Sequence, residues 1–315
     1  MRLRYKAWAL MAALLVGLVV LGTRAEEFRG GEYLDPLNAT RHGYFERMRG
    51  MKPKERPSAQ EAAKRLIILK HVVVYAMGTP PRGMVTALLR ASGEDPRTKF
   101  VKEMDTRRDA FQGRIKTLDL WDQMSPWERE YAESTAVTMT DQQQTDALWR
   151  VEGVQALMWA LNLLPDLPPY GTQANGEILK AVPSEDVAGF IASARLRPDS
   201  EIDAARSLAE LWHWRSRTRQ LIEKGDHFTT DAKLRAAGFN SYDDIVRFTA
   251  KQASKEGRLE SIVHDDFGVN GKAYRDLDTK EWSYLQSVTV ERHFTLNWLC
   301  GYAPANRWDE TPTDT

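Results

Sequence analysis

The chain has 315 residues, 42% of them hydrophobic and 28% charged, with 44 basic side chains against 44 acidic ones. That length suits one large or two modest domains, and the composition is that of a soluble globular protein. A net charge of zero, with no long block of like charge, excludes the basic field that nucleic-acid binding needs.

At the N-terminus Arg2, Arg4 and Lys6 precede an uncharged run from Ala7 to Gly22. A basic segment followed by such a run reads as a secretory signal or a signal anchor. The run sits at the short edge of the roughly 17–25 residues that a spanning helix needs. Thr23-Arg24-Ala25 offers a small-x-small cleavage site, so residues 1–25 are assigned as signal peptide or signal anchor. No cysteine follows the run, which argues against a lipoprotein, and the basic flank places the bulk of the chain outside the cytoplasm. Residues 26–57 are rich in Gly, Arg, Glu and Pro without a sustained period and read as a linker; Asn38-Ala39-Thr40 matches a glycosylation acceptor.

The body, residues 58–315, opens with the capping box Ser58-Ala59-Gln60-Glu61. The helix it starts runs through Leu66, Leu69 and His71 towards Gly78 and breaks at Thr79-Pro80-Pro81. A short helix follows over Met84–Ala91. Ser125-Pro126-Trp127-Glu128 is a second capping box, with proline at the favoured first position. A long helix then begins within Asp141–Asp146 and stops at Pro165; its stretch from Trp149 to Leu164 is apolar almost all round. Leu164–Tyr170 turns the chain. Asp199 or Ser200 caps a helix to Lys224, ended by Gly225, and Ser241-Tyr242-Asp243-Asp244 opens another. His264–Asp278 reads as a polar surface loop, and Asp278-Thr279-Lys280-Glu281 caps a last helix to about Gly301. No alternating strand pattern emerges, so the predicted fold is all-α: a single globular multi-helix bundle behind the N-terminal segment.

On the last helix Trp282, Leu285, Val288, Thr289, Leu296 and Leu299 form one stripe, with Arg292 in its middle and His293 and Asn297 beside it. On the helix before residue 225, Leu208, Leu211 and Trp212 form a stripe that Arg215 and Arg219 continue, with His213 at its flank. Arg150 lies over Val154, Leu157 and Leu161, while Glu152 and Gln155 point to another side. An unpaired charge in a core is prohibitively costly, so four arginines on apolar faces require acids; Glu152 and Glu291 are the best candidates, with Glu152 facing Arg292. The set Arg150, Glu152, Arg215, Arg219, Glu291, Arg292 and Asn297 is therefore either a structural ion network or a polar pocket for an anionic or carbohydrate-like ligand. Acid–base catalysis through Glu152, His213 or His293 is the competing use.

No metalloprotease, nucleophile-elbow or nucleotide-loop signature is present. Six scattered histidines give no local metal pair, and Asp265, Asp266 and Asn270 lack the spacing of a calcium loop, so neither metal nor cofactor is expected. Cys300, the single cysteine, excludes an intramolecular disulfide and a multi-cysteine zinc site; beside Trp298 and Leu299 it reads as a buried thiol. Ten tryptophans serve either a packed core or an aromatic-lined pocket.

Trp149-Arg150-Val151-Glu152 with Leu157-Met158-Trp159-Ala160-Leu161, and Glu291-Arg292-His293 with Leu296-Asn297-Trp298-Leu299, resemble motifs of the bacterial domain of unknown function 4272 family. Leu196-Arg197, Glu201-Ile202 and His213-Trp214-Arg217 resemble its middle block, and Trp308-Asp309-Glu310 with Thr313-Asp314-Thr315 its C-terminal tail. The resemblance spans about Ser58 to Thr315 and implies a fold and a domain extent rather than a reaction; the N-terminal export signal is a departure from most members. The expectation is an envelope protein without enzymatic activity, a binding or interaction module whose partner is a protein or a small polar ligand. The membrane is a further partner through residues 7–22 if they are not cleaved. The alternatives are a hydrolase-like envelope enzyme and an immunity-type protein that neutralises a partner.

Overall fold

The computed structural model describes residues 55–80, 96–135, 138–226, 228 and 238–313. The expected signal or anchor, Asn38, the Met84–Ala91 helix and most of the linker lie outside the described residues. Among the described residues no helix is long and apolar enough to cross a membrane.

Helices dominate: α1 (Ala59–Gly78), α2 (Pro96–Thr117), α3 (Pro126–Glu133), α4 (Asp141–Ala160), α5 (Val187–Ser193), α6 (Asp199–Glu223), α7 (Tyr242–Lys255) and α8 (Thr279–Leu299). The starts of α1, α3, α4 and α8 are fixed by capping boxes at Ser58, Ser125, Thr140 and Asp278, each with its Glu or Gln reaching back. Helix α6 departs from expectation: Pro198 occupies its cap position without a side-chain bond, and Asp199 is already helical. Helix α4 stops at Ala160 rather than Pro165, because Asn162 takes a left-handed conformation (φ 62) and Leu163 N–H turns back to Met158.

Helices α1, α4, α8 and α6 pack in that order, so α4 lies between α1 and α8. This explains why α4 is apolar all round: from Val151 to Ala160 every residue is buried. Its mid-helix Gly153 leaves room for a side chain of α8. A Cβ there would stand 2.8 Å from Thr295 Oγ1 on α8 and 3.4 Å from Leu69 Cδ1 on α1.

Helices α2 and α5 have no counterpart among the predicted elements. Helix α2 is strongly charged, and Met104, Phe111 and Ile115 supply its buried face, too sparse a stripe to signal a helix. Helix α5 is two turns long and is capped by Asp186, which accepts from Gly189 N–H.

Where a polar loop over His264–Asp278 is expected, the chain forms a small antiparallel sheet of β1 (Ile262–Val263), β2 (Asp266–Val269) and β3 (Lys272–Ala273). Its two-residue turns, His264-Asp265 and Asn270-Gly271, have positive φ at both positions, the geometry of type I′ hairpins. Strand β2 is buried at Asp266, Phe267 and Val269, and Phe267 stacks edge-on against Trp212 of α6.

Candidate functional site

The centre of the molecule is the meeting of α4 and α8. Arg292 and Glu152 pair at 2.9 Å between Nε and Oε2, both without solvent exposure. The Arg292 guanidinium also donates to Gln155 Oε1 (3.0 Å) and to the carbonyls of Pro168 (2.6 Å) and Thr172 (2.8 Å). Its plane lies 5.0 Å from the Tyr170 ring. The second Glu152 oxygen accepts from Ala174 N–H at 2.7 Å. One ion pair thus ties two helices to the proline-rich segment after α4. Burial lifts the Glu152 carboxyl above the usual carboxylate range, against the pull of Arg292 and of the Ala174 N–H.

Arg150 pairs with Glu291 at 2.9 Å beside it at the same interface. Its guanidinium sits over the rings of Trp127 (5.2 Å) and Phe294 (5.0 Å). Asn297 joins a different group: its Oδ1 accepts from Arg206 Nε (2.7 Å), and its Nδ2 donates to Pro312 O (2.7 Å). Arg206 is closed by Glu210 one turn along α6.

Arg215 and Arg219 point elsewhere. Arg215 makes two 2.7 Å bonds to Asp266 on β2, and Asp266 is fully buried. The reading of Asp266 as part of a surface loop is therefore corrected. Burial pushes its carboxyl up, but the Arg215 bonds and the N–H groups of Phe267 and Arg275 outweigh that and hold it below the usual range. Arg219 donates to Tyr274 O at 2.8 Å and pairs with Glu223.

His213 of α6 and His293 of α8 meet with their Nδ1 atoms 3.0 Å apart, both buried. One ring must donate and the other accept, so at most one of the two can be protonated on both nitrogens while the contact holds. Burial and then Arg217 push His213 down to about 4. Burial, His213 and Arg206 push His293 well below the ordinary histidine range.

The seven network residues therefore fall into separate groups. Arg150, Glu152, Glu291 and Arg292 share the α4–α8 interface; Asn297 serves Arg206; Arg215 and Arg219 secure the sheet and the turn after it. Glu152 spends its oxygens on Arg292 and Ala174, while His213 and His293 bond each other. Sequence reasoning missed Arg206, Glu210, Asp266 and the Arg65–Glu128 pair at 2.5 Å. Arg206 and Glu210 carried an i,i+4 signal; Arg65 and Asp266 find partners far along the chain. Cys300 is buried, which pushes its thiol up to about 12, and it donates to Asp203 at 3.4 Å. Among the described residues no group of three His, Cys, Asp or Glu could hold a metal ion.

The model of the family described as Domain of unknown function (DUF4272) matches residues 44–228, more than half of the chain. The chain belongs to the DUF4272 family. No curated protein and no solved structure matches it. The DUF4272 match contains Glu152, Gln155, His213 and Arg215 but ends before α8. The structure supplies Arg292, Glu291 and His293 from beyond it, so the segment after residue 228 completes the buried core of the DUF4272 region.

Proposed function

We propose that the Arg292–Glu152 network is a structural lock and that the protein acts without enzymatic activity, as a binding or interaction module held outside the cytoplasm. One observation carries the first half of this reading: Arg292 is sealed from solvent, with its donors spent on a carboxylate, an amide and loop carbonyls. A ligand-binding arginine keeps donors free for its ligand; this one has given them to the fold. The hydrolase-like alternative needs Glu152, His213 and His293 to reach a substrate, and all three are buried. The compartment rests on the basic, then apolar, N-terminal segment. Two measurements test the proposal. Arg292→Ala should melt well below the parent, and an unchanged melting temperature overturns the lock. Fractionation of cells expressing the full chain should place it in the membrane or the extracytoplasmic fraction; recovery in the cytoplasm overturns the compartment.

A further inference from the structure

A second polar cluster lies at the other side of α1, away from the Arg292 lock and independent of it. A half-open hollow of about 80 Å³ is lined by Glu61, Lys64, Arg65 and Ile68 of α1, by Gln123, by Trp298 near the end of α8 and by Asn306 in the turn that follows it. Arg65 is nine-tenths buried. Its two terminal nitrogens are spent on Glu128 and Gln123 O, its guanidinium lies 5.0 Å from the Trp308 ring, and its Nε has no partner. On the same lining Asn306 Oδ1 also has no partner. Asn306 is presented by a left-handed turn (φ 57) whose carbonyl is pinned by Trp298 Nε1 at 3.0 Å. Among the described residues Lys64 makes no ion pair, and Glu61 uses one carboxylate oxygen to bond Ser58 N–H.

Unsatisfied polar atoms shielded from water are rare in folded proteins and call for an explanation. Here two residues of one lining each carry an orphaned buried atom, a donor on Arg65 and an acceptor on Asn306, beside the ammonium of Lys64 and the half-used carboxylate of Glu61. A purely anionic ligand would approach the Glu61 carboxylate; a purely cationic one would face Lys64 and Arg65. A ligand carrying both charges satisfies all four groups. We propose that this hollow binds a small zwitterionic α-amino acid. Its carboxylate accepts from Arg65 Nε and Lys64 Nζ, and its ammonium donates to Asn306 Oδ1 and Glu61. Both orphaned atoms are closed off from solvent, so seating opens the lining by small movements of the Arg65 and Asn306 side chains.

Calorimetric titration of the full chain with glycine and L-alanine at millimolar concentrations tests this. N-acetyl-alanine, alanine methyl ester and inorganic phosphate serve as comparison probes. Glycine or alanine should bind, and each blocked form, lacking one charge, should bind about tenfold more weakly or worse. Replacing Arg65 would strand Glu128 in the interior, so the variants are Lys64→Met and Asn306→Gly, the latter keeping the left-handed backbone. Each should weaken alanine binding by about tenfold while leaving the melting temperature of the free protein near the parent's. No binding of either amino acid overturns the proposal. So does equal binding of the blocked forms or of phosphate, or unchanged binding in both variants.

Discussion

Arg292 and Arg215 are both buried guanidiniums on helix faces that pack into the core, yet they are neutralised in different ways. Arg292 meets Glu152 across two long helices and spends its remaining donors on Gln155 and the Pro168–Thr172 segment. Arg215 meets Asp266, which sits on a four-residue strand held between two tight turns, and its Nη1 is left without a partner. The first pair joins elements that would form without it. The second holds a small sheet that needs it, because two- and four-residue strands bury too little to stand alone. The same chemistry is thus a cross-brace at the centre and an anchor at the edge.

The hardest test of that contrast is Arg292→Ala. Removing one partner strands the Glu152 carboxylate in a sealed site, at a cost of about 3–5 kcal/mol. For a domain of this size, that lowers the melting temperature by about 6–10 °C. The double variant Arg292→Met, Glu152→Leu separates charge from bracing. With both charges gone, much of the loss should return, and what persists is the cost of the freed Pro168 and Thr172 carbonyls. A double variant as unstable as the single one would show that the segment contacts, not the ion pair, dominate at this centre.

A third buried contact, between His213 and His293, joins α6 to α8 and is sensitive to acid. Both imidazoles are held neutral in the fold, while in the unfolded chain they take protons from about pH 6.5 downward. The unfolded state therefore binds more protons as pH falls, so stability decreases from about pH 6.5 towards pH 4, where His213 titrates in the fold. For His213 alone the full span is worth about 3 kcal/mol. Denaturant melts at pH 7 and pH 5 should show this loss, and His213→Asn should reduce it to the share of His293; a parent curve that is level over this range would contradict the buried neutral pair.

Asp266→Asn probes the edge anchor. It keeps the shape and removes the charge that Arg215 grips, costing about 2 kcal/mol. The loss should be local: amide exchange should quicken across 262–276 while the α4–α8 amides stay protected. Equal acceleration at both places would erase the distinction between brace and anchor.

How much of this was legible before the structure follows the same line. The long helices were readable because their starts are set by local capping residues and their faces by a regular period. The placement of Arg292 opposite Glu152 came from that period together with the cost of an unpaired charge. Arg206 with Glu210 is equally local but lies outside the stripe of Leu208, Leu211 and Trp212. Asp266 was not legible as a core residue, since its burial depends on a hairpin docking against α6 from fifty residues away. The hairpin itself did leave a mark: Asn270-Gly271 is a strong short-range turn signal. Strands of two to four residues, however, are too short to show alternation. The Arg65–Glu128 pair joins residues whose meeting is set by tertiary packing, and no sequence period marks it.

The smallest effect tests that turn directly. Gly271 has φ 81, and a Cβ built there meets nothing within 4 Å. Alanine at this position therefore clashes with no neighbour, and its whole cost is the left-handed backbone, about 1 kcal/mol. Gly153→Ala is the useful opposite. Its backbone is helical and unstrained, but its Cβ would press on Thr295 Oγ1 at 2.8 Å in the gap between α4 and α8. Gly271→Ala should therefore loosen only the β2–β3 hairpin, seen as faster amide exchange there with little change in melting temperature. Gly153→Ala should lower the melting temperature and disturb the Arg292 centre. If Gly271→Ala instead destabilised the whole molecule, the sheet would belong to the same cooperative unit as the helical core, and Arg215 would be a brace like Arg292 rather than an edge anchor.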